Sequence, residues 1–243
     1  MFHPDGPSFA ELARQALSST DSGYDSLAPK FDVTPFRTPG NILEAVSRYV
    51  SSTLNPRRAL DLGSGTGAVA EHFASFVPVV GLDRSEGMLL VAVGHDPKSL
   101  VVRGDALKPP FGPSFDLVTC FGAFGHFLLE EHGALVAAIR ACLVPGGHFV
   151  CVAAPKPGPL SAGYWACRAA NAVMRARNAL WSPPFVMYYL TFDLETAIKA
   201  LEAGGFEVAV RDIGLDPHRL VDASLQSRYQ RPEIGGEIGG HNT

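Results

Sequence analysis

The sequence is short of cysteine, of excess positive charge and of long apolar runs, and each shortage closes off a class of function. Its four cysteines, Cys120, Cys142, Cys151 and Cys167, form no C-x-x-C pair, which argues against a zinc site and for reduced thiols in a cytosolic setting. Lysine and arginine number 20 against 24 aspartates and glutamates, a formal charge of -4. No general field therefore draws in a polyanion, and no nucleic-acid partner is expected. No signal-peptide pattern opens the chain, and no run of about 18 uninterrupted apolar residues could span a bilayer. The expectation is a soluble, cytoplasmic protein that acts on a small molecule, with no stable membrane insertion. What the chain has in quantity is core material: 243 residues, 47% of them hydrophobic, suit one α/β-sized domain with a single substantial core.

The rest of the chain is organised around Arg58-Ala59-Leu60-Asp61-Leu62-Gly63-Ser64-Gly65-Thr66-Gly67-Ala68-Val69-Ala70. This stretch reads as a short apolar strand, a glycine-rich turn and a helix starting near Ala68, an arrangement that sets backbone N–H groups and a helix N-terminus against a nucleotide-like ligand. Gly63, Gly65 and Gly67 let the backbone approach that ligand closely. Taken alone the pattern is ambiguous, because Gly63-x-Gly65-x-x-Ala68 also satisfies the dinucleotide-binding fingerprint.

Ahead of it, residues 7–18 carry Phe9, Leu12, Ala13, Ala16 and Leu17 at helical spacing behind the N-cap candidate Ser8, and the segment Asp21-Ser22-Gly23-Tyr24-Asp25 is expected to break that helix. Thr38-Pro39 opens a second helix with Ile42, Val46, Tyr49 and Val50 as its buried stripe, and Asn55-Pro56 closes it. Beyond the glycine turn, buried strands are expected over residues 78–83, 100–103, 115–120 and 148–152, with helices between them and Pro145-Gly146-Gly147 as a turn. Asp83 ends the second strand about 20 residues past the first glycine, where a carboxylate can accept from both hydroxyls of a ribose. Ser85 caps the helix that follows.

Such alternation implies a parallel, doubly wound sheet with ligands at the strands' carboxyl ends. Residues 155–184 break the pattern as an insertion around a helix from 161 to 181. Arg168, Asn171, Arg175 and Asn178 read as its solvated face, and Trp165 and Trp181 as core. A helix over 192–203 stops at Gly204-Gly205, and residues 206–211 and 219–224 can pair as a hairpin. From residue 226 the chain reads as a flexible polar tail.

Over roughly residues 41–224 the sequence resembles the class I S-adenosylmethionine-dependent methyltransferases. The resemblance is carried by Asp61-Leu62-Gly63-Ser64-Gly65-Thr66-Gly67, by Gly81-Leu82-Asp83 with Ser85 and Met88 following, and by Gly104-Asp105-Ala106 ahead of Pro110-Phe111. Phe115-Asp116-Leu117-Val118, Leu143-Val144-Pro145-Gly146-Gly147 and Leu201-Glu202-Ala203-Gly204-Gly205-Phe206 complete it in order and spacing. It implies an α/β fold, a Rossmann-like doubly wound seven-stranded sheet with a terminal antiparallel hairpin. Residues 1–225 would form one domain, with an N-terminal lid over 1–36 and a helical substrate cover over 155–190.

The cofactor implied is S-adenosyl-L-methionine. Asp61 would hold its ammonium, and the N–H groups around Gly63, Ser64, Gly65 and Gly67 its carboxylate. Asp83 would take the ribose, with Arg84 and Met88 beside it. Gly104, Asp105 and Ala106 would meet the adenine, and Phe121 and Gly122 would floor the pocket. The alternatives that stay open are an NAD-dependent oxidoreductase and a non-catalytic nucleotide-binding module on the same fold.

No metal is required for transfer from a sulfonium. His126 follows the fourth strand at the pocket mouth and has the pKa of a base near neutrality, although a capping or packing histidine reads equally well. Tyr24 resembles a lid tyrosine, or packs simply as an aromatic. Cys120 lacks the Pro-Cys pair that attacks cytosine, and no Asn-Pro-Pro-Tyr or Asp-Pro-Pro-Tyr follows strand four to hold a base amine. The two segments outside the alternation, 2–36 and 155–189, are expected to enclose a small or medium-sized apolar or aromatic acceptor, using Phe9, Tyr24, Phe31, Phe36, Tyr164, Trp165, Trp181 and Tyr188.

Overall fold

A computed structural model describes residues 4–189 and 192–226. Most of the expected tail, 227–243, lies outside the described residues, as does Phe2. Seven strands form one sheet: β1 (Ala59–Leu62), β2 (Val79–Asp83), β3 (Leu100–Arg103), β4 (Phe115–Thr119), β5 (Leu143–Ala153), β6 (Phe206–Asp212) and β7 (Arg219–Leu225). Their order is β3-β2-β1-β4-β5-β7-β6. The first five pair in parallel, while β7 runs antiparallel to both β5 and β6. The Rossmann-like sheet with its terminal hairpin is therefore present. Strand order reverses at β1, beside β4, and ligands of open α/β sheets collect at the carboxyl ends there.

The central strands are buried on both faces because their residues alternate between two cores. Leu60, Val118 and Phe149 pack toward α6 (His132–Cys142) and α8 (Leu194–Ala203), together with Leu135, Ile139 and Leu201. Ala59, Leu117 and Val150 pack toward α3 (Gly40–Tyr49) and α4 (Ala68–Phe73), with Leu43, Val46 and Phe73. Between them, α5 (Glu86–His95) starts behind Ser85, whose hydroxyl accepts from the Met88 N–H at 3.1 Å. Leu143-Val144-Pro145-Gly146-Gly147 does not stand apart from the fifth strand as expected. It forms the irregular first half of β5, with a register shift opposite Phe115 and Leu117 that Gly146, at φ 79°, accommodates.

The N-terminal region departs further. Helix α1 (Phe9–Leu17) begins at the expected N-cap Ser8, which Glu11 completes as a capping box, but its buried residue is Gln15, and Phe9 is 86% exposed. The segment expected to break the helix instead forms α2 (Thr20–Leu27), capped by Ser19, whose hydroxyl accepts from the Ser22 N–H at 3.1 Å. Gly23 is tolerated inside it because a Cβ there would lie 2.8 Å from the Phe185 ring; close approach, not chain reversal, is its purpose. Pro39, not Thr38, occupies the N-cap of α3, and Thr38 is free to face the cavity described below.

The insertion helix α7 (Ala162–Leu180) is capped by Ser161. Of its expected solvated face Arg168 and Arg175 are exposed, but the asparagines and the tryptophans are the other way round. Asn171 and Asn178 face the protein, and Trp165 and Trp181 are exposed.

Candidate active site

The sheet register sets the floor of the site. Asp61 on β1 lies level with Gly81 on β2 and Thr119 on β4, so the Thr119 hydroxyl donates to the Asp61 carboxylate at 2.7 Å. Asp61 is buried, and burial pushes its carboxyl up to about 7, against the lowering effect of the Thr119 bond and with the nearby Asp83 charge adding to the rise. One strand over, the two Asp83 oxygens accept from the Gly65 N–H and the Ser85 N–H, each at 2.8 Å. Its carboxyl is also raised, by burial first, with those amides pulling the other way.

Between these acids the chain turns through Gly63 (φ 71°) and Gly65 (φ 54°), backbone that side chains resist. At Gly63 a Cβ would stand 2.6 Å from the Cβ of Ala123. Glycine is therefore needed here for space as well as for dihedral. Ser64 has a buried hydroxyl without a hydrogen-bond partner, turned toward β2, where a Cβ on Gly81 would stand 2.7 Å from it.

These residues open into a cavity of about 630 Å³, within the roughly 300–1,000 Å³ of small-molecule sites. Asp61, Gly63, Ser64, Gly65, Asp83, Arg84, Met88, Gly104, Asp105, Ala106, Phe121, Gly122, His126 and Tyr24 all line it. Of the residues named from the sequence, Gly67 stands outside; its φ of 88° starts α4 instead. Asp105 Oδ1 accepts from the Leu107 N–H at 2.9 Å, which shapes the turn after β3.

Of the expected aromatic enclosure, Phe31, Phe36 and Tyr24 line the cavity, whereas Phe9, Trp165 and Trp181 are exposed at the surface, and Tyr164 and Tyr188 face elsewhere. Residues not singled out also contribute: Thr38, Glu131, Val186 and Met187. No pattern marks them, since each belongs to a connecting segment.

The opposite wall is built from parts distant in sequence. Tyr24 Oη lies 2.9 Å from His126 Nε2, and His126 Nδ1 lies 2.6 Å from the Val186 carbonyl. A carbonyl only accepts, so Nδ1 carries the proton. Burial lowers the His126 pKa, only partly offset by that bond and by the Asp83 charge, so the ring is neutral near pH 7 and Tyr24 donates to the bare Nε2. The phenol itself is pushed up by burial and is no base at neutral pH. The Tyr188 N–H donates to the Gly125 carbonyl at 2.7 Å, which pins the histidine turn to the 185–189 segment. Asn178 exchanges two bonds with the Phe185 backbone, and Asn171 two with that of Tyr189.

The N-terminal helices are latched onto the same site. The Ser85 hydroxyl and the Gly87 N–H donate to Asp25, Arg84 pairs with Asp21 at 2.9 Å, and the Thr66 hydroxyl donates to Asp32 at 2.6 Å. Among the described residues, no group of three histidine, cysteine or acidic side chains is placed to hold a metal.

Residues 60–151, which run from β1 to β5, match the family profile described as "Methyltransferase domain". Over those residues the chain carries a methyltransferase domain. It is 33% identical over 148 residues to a demethylmenaquinone methyltransferase of Renibacterium salmoninarum, covering 58% of this chain and 62% of that protein. It is 30% identical over 129 residues to a ubiquinone biosynthesis O-methyltransferase of Marinobacter nauticus, covering 49% of this chain and 50% of that one. The chain thus spans between half and two thirds of the length of these curated relatives. Among solved structures, the DhpI–SAH complex aligns with a TM-score of 0.64 at 17% identity, over 91% of this chain and 100% of that one, a likeness of fold.

Proposed function

We propose that the chain binds S-adenosylmethionine at the carboxyl ends of β1, β2 and β3 and transfers its methyl group to a small or medium-sized aromatic acceptor that bears an ionisable hydroxyl. The observation that carries this reading is the single cavity with two chemically different walls. One is the row Asp61, Ser64, Gly65, Asp83 and Asp105, and the other holds Tyr24, Phe31, Phe36 and His126. The donor set fits the cofactor. Asp61 supplies a counter-charge for an ammonium, Asp83 keeps lone pairs free for a ribose diol beyond the two amides it already accepts, and Asp105 faces an adenine amine. When bound, S-adenosylmethionine supplies an electrophilic methyl whose leaving group is a neutral thioether.

The protein's own part is alignment, exclusion of water and movement of one proton. As the acceptor oxygen is drawn toward the methyl, its proton passes to the Tyr24 oxygen while the Tyr24 proton passes to His126 Nε2. The electron pair so freed on the acceptor would be available to the methyl that a bound S-adenosylmethionine would supply, and the imidazole would carry the positive charge. Val186 holds the ring for this by accepting from Nδ1. The names of the curated relatives, which place them on menaquinone and ubiquinone, support an aromatic acceptor of quinol type.

Titration with S-adenosylmethionine and with NAD, followed by a labelled-methyl assay on a panel of phenols and quinols, tests the reading. Binding of the sulfonium and label in an acceptor are the results expected. Tight NAD binding without response to the sulfonium would establish the oxidoreductase alternative, and cofactor binding without transfer to any acceptor the non-catalytic one.

Cofactor affinity is further expected to depend on pH through Asp61. Its carboxyl holds a proton below about 7 in the free protein and must lose it to pair with an ammonium. Affinity should therefore fall by about tenfold per pH unit below that value and level off above it. Calorimetry on both sides of pH 7, in two buffers of different ionisation enthalpy, measures the released proton. In Asp61→Asn both the slope and the released proton should vanish; a slope that persists assigns the titration elsewhere.

A further inference from the structure

Helix α7 is built inside out. Its protein-facing side carries Tyr164, Asn171 and Asn178, with both asparagines spent on the 185–189 backbone. Trp165, Ala169, Ala172, Val173, Ala176 and Leu180 recur at helical spacing along the opposite side, and every one is exposed. Leu160, just ahead of the helix, is 99% exposed, Leu180 85%, Trp165 61% and Trp181, just after it, 55%. Contiguous apolar exposure on this scale marks an interaction surface.

Charge identifies the partner. In a chain of net charge -4, no acidic residue occurs between Glu131 and Asp193, while Lys156, Arg168, Arg175 and Arg177 all fall in that interval. Arg168 and Arg175 are exposed along one flank of the apolar face, Arg168 lying over the Tyr164 ring and Arg175 over the ring of Tyr188 in the adjoining segment. A helix with an apolar face of tryptophan, leucine and alanine, flanked by arginine and free of carboxylates, suits the interface of an anionic bilayer. The alanine run offers few large side chains to interlock with another protein surface, whereas tryptophan at each end suits the headgroup level.

Position supplies the reason. Arg177 donates to the carbonyls of Ala16 and Ser18 at 2.8 Å each, which joins the end of α7 to the exposed Leu17. Two residues beyond Leu17 comes Ser19, and two beyond Trp181 comes Pro183, both in the cavity lining. The apolar face therefore borders the cavity on two sides. We propose that the outward face of α7, with Leu160, Trp181 and Leu17, docks on an anionic lipid surface and sets the cavity mouth against it. If the acceptor is of quinol type, as proposed above, it reaches the site from the bilayer; that clause alone rests on the reading of function.

The unmodified protein carries its own probe, because Trp165 and Trp181 are its two tryptophans. Their emission is expected to shift to the blue with phosphatidylglycerol-rich vesicles, to be quenched by brominated acyl chains, and to respond far less to phosphatidylcholine alone. Val173→Glu/Leu180→Glu should lower vesicle affinity by about tenfold or more, each change removing an exposed aliphatic side chain that the bilayer would bury. Arg168→Gln/Arg175→Gln should remove most of the preference for anionic lipid. These readouts need neither methyl donor nor acceptor, and calorimetry with S-adenosylhomocysteine on the same variants should show unchanged affinity, so a failed surface and a failed active site are told apart. Unquenched tryptophan, undiminished vesicle binding by the glutamate variant, or a dimer that this variant dissociates while the wild type ignores vesicles would each overturn the proposal, the last in favour of a second copy of the chain.

Discussion

His126→Ala is expected to slow methyl transfer by about 10²–10⁴-fold, the range for a positioned general base, while leaving cofactor affinity within a few-fold of wild type. The division follows from the geometry. His126 meets Tyr24 and Val186 and none of the carboxylates that face the cofactor in our reading. Because burial lowers its pKa, the reactive neutral form is complete at neutral pH. At saturating cofactor, where the Asp61 titration no longer limits binding, the rate should therefore lose activity only on an acid limb lying below the usual histidine value of about 6.5, and that limb should vanish in the variant. Tyr24→Phe is the informative companion. It keeps the ring packed between Phe31 and Phe185 but removes the hydroxyl that stands between acceptor and imidazole. A smaller rate loss with the acid limb intact is the expected result. Unchanged turnover in a folded His126→Ala protein would reduce the pair to packing.

The parts of this site that the sequence made legible are those built within one short stretch. Strand, glycine turn and helix N-terminus are consecutive from Ala59 to Phe73, so local chain chemistry fixes them, and Asp83 and Asp105 follow because one ends β2 and the other lies in the turn just past β3 of the same sheet. The Tyr24–His126 contact spans 102 residues and depends on how α2 docks against the turn after β4, which no local pattern encodes.

Helix α7 shows a different limit. Periodicity tells which residues share a face, not which face turns inward. The rule that apolar faces turn inward failed because Asn171 and Asn178 bind a backbone segment that belongs to no sheet and needs side-chain partners. Gln15, rather than the leucines of α1, is buried for a related reason: the helix rests on α2 and on the end of α7, not on the sheet core. Gly23 read as a breaker for want of any sign that Phe185 would press against it.

Asp83→Ala is expected to weaken binding of S-adenosylmethionine and of S-adenosylhomocysteine by about one to two decades, the cost of roughly 1.5–3 kcal/mol for losing hydrogen bonds to a charged group. Two effects act together. A ribose diol loses its acceptor, and the Gly65 and Ser85 N–H groups, each held at 2.8 Å, lose theirs. Since Gly65 sits in left-handed backbone at φ 54°, releasing that N–H loosens the turn that must receive the cofactor carboxylate. Asp83→Asn separates the two effects, because its remaining carbonyl oxygen can still accept from one amide while the charge is gone; an intermediate loss is expected.

Asp105→Ala should cost less than either, since the Asp105 bond to Leu107 shapes only its own turn and water can replace part of one contact at an adenine edge. Calorimetry with S-adenosylhomocysteine, beside a melting curve to confirm the fold, ranks the three. If a folded Asp83→Ala protein binds as tightly as wild type, the ribose lies elsewhere, and the assignment of the whole acidic row, from Asp61 to Asp105, fails with it.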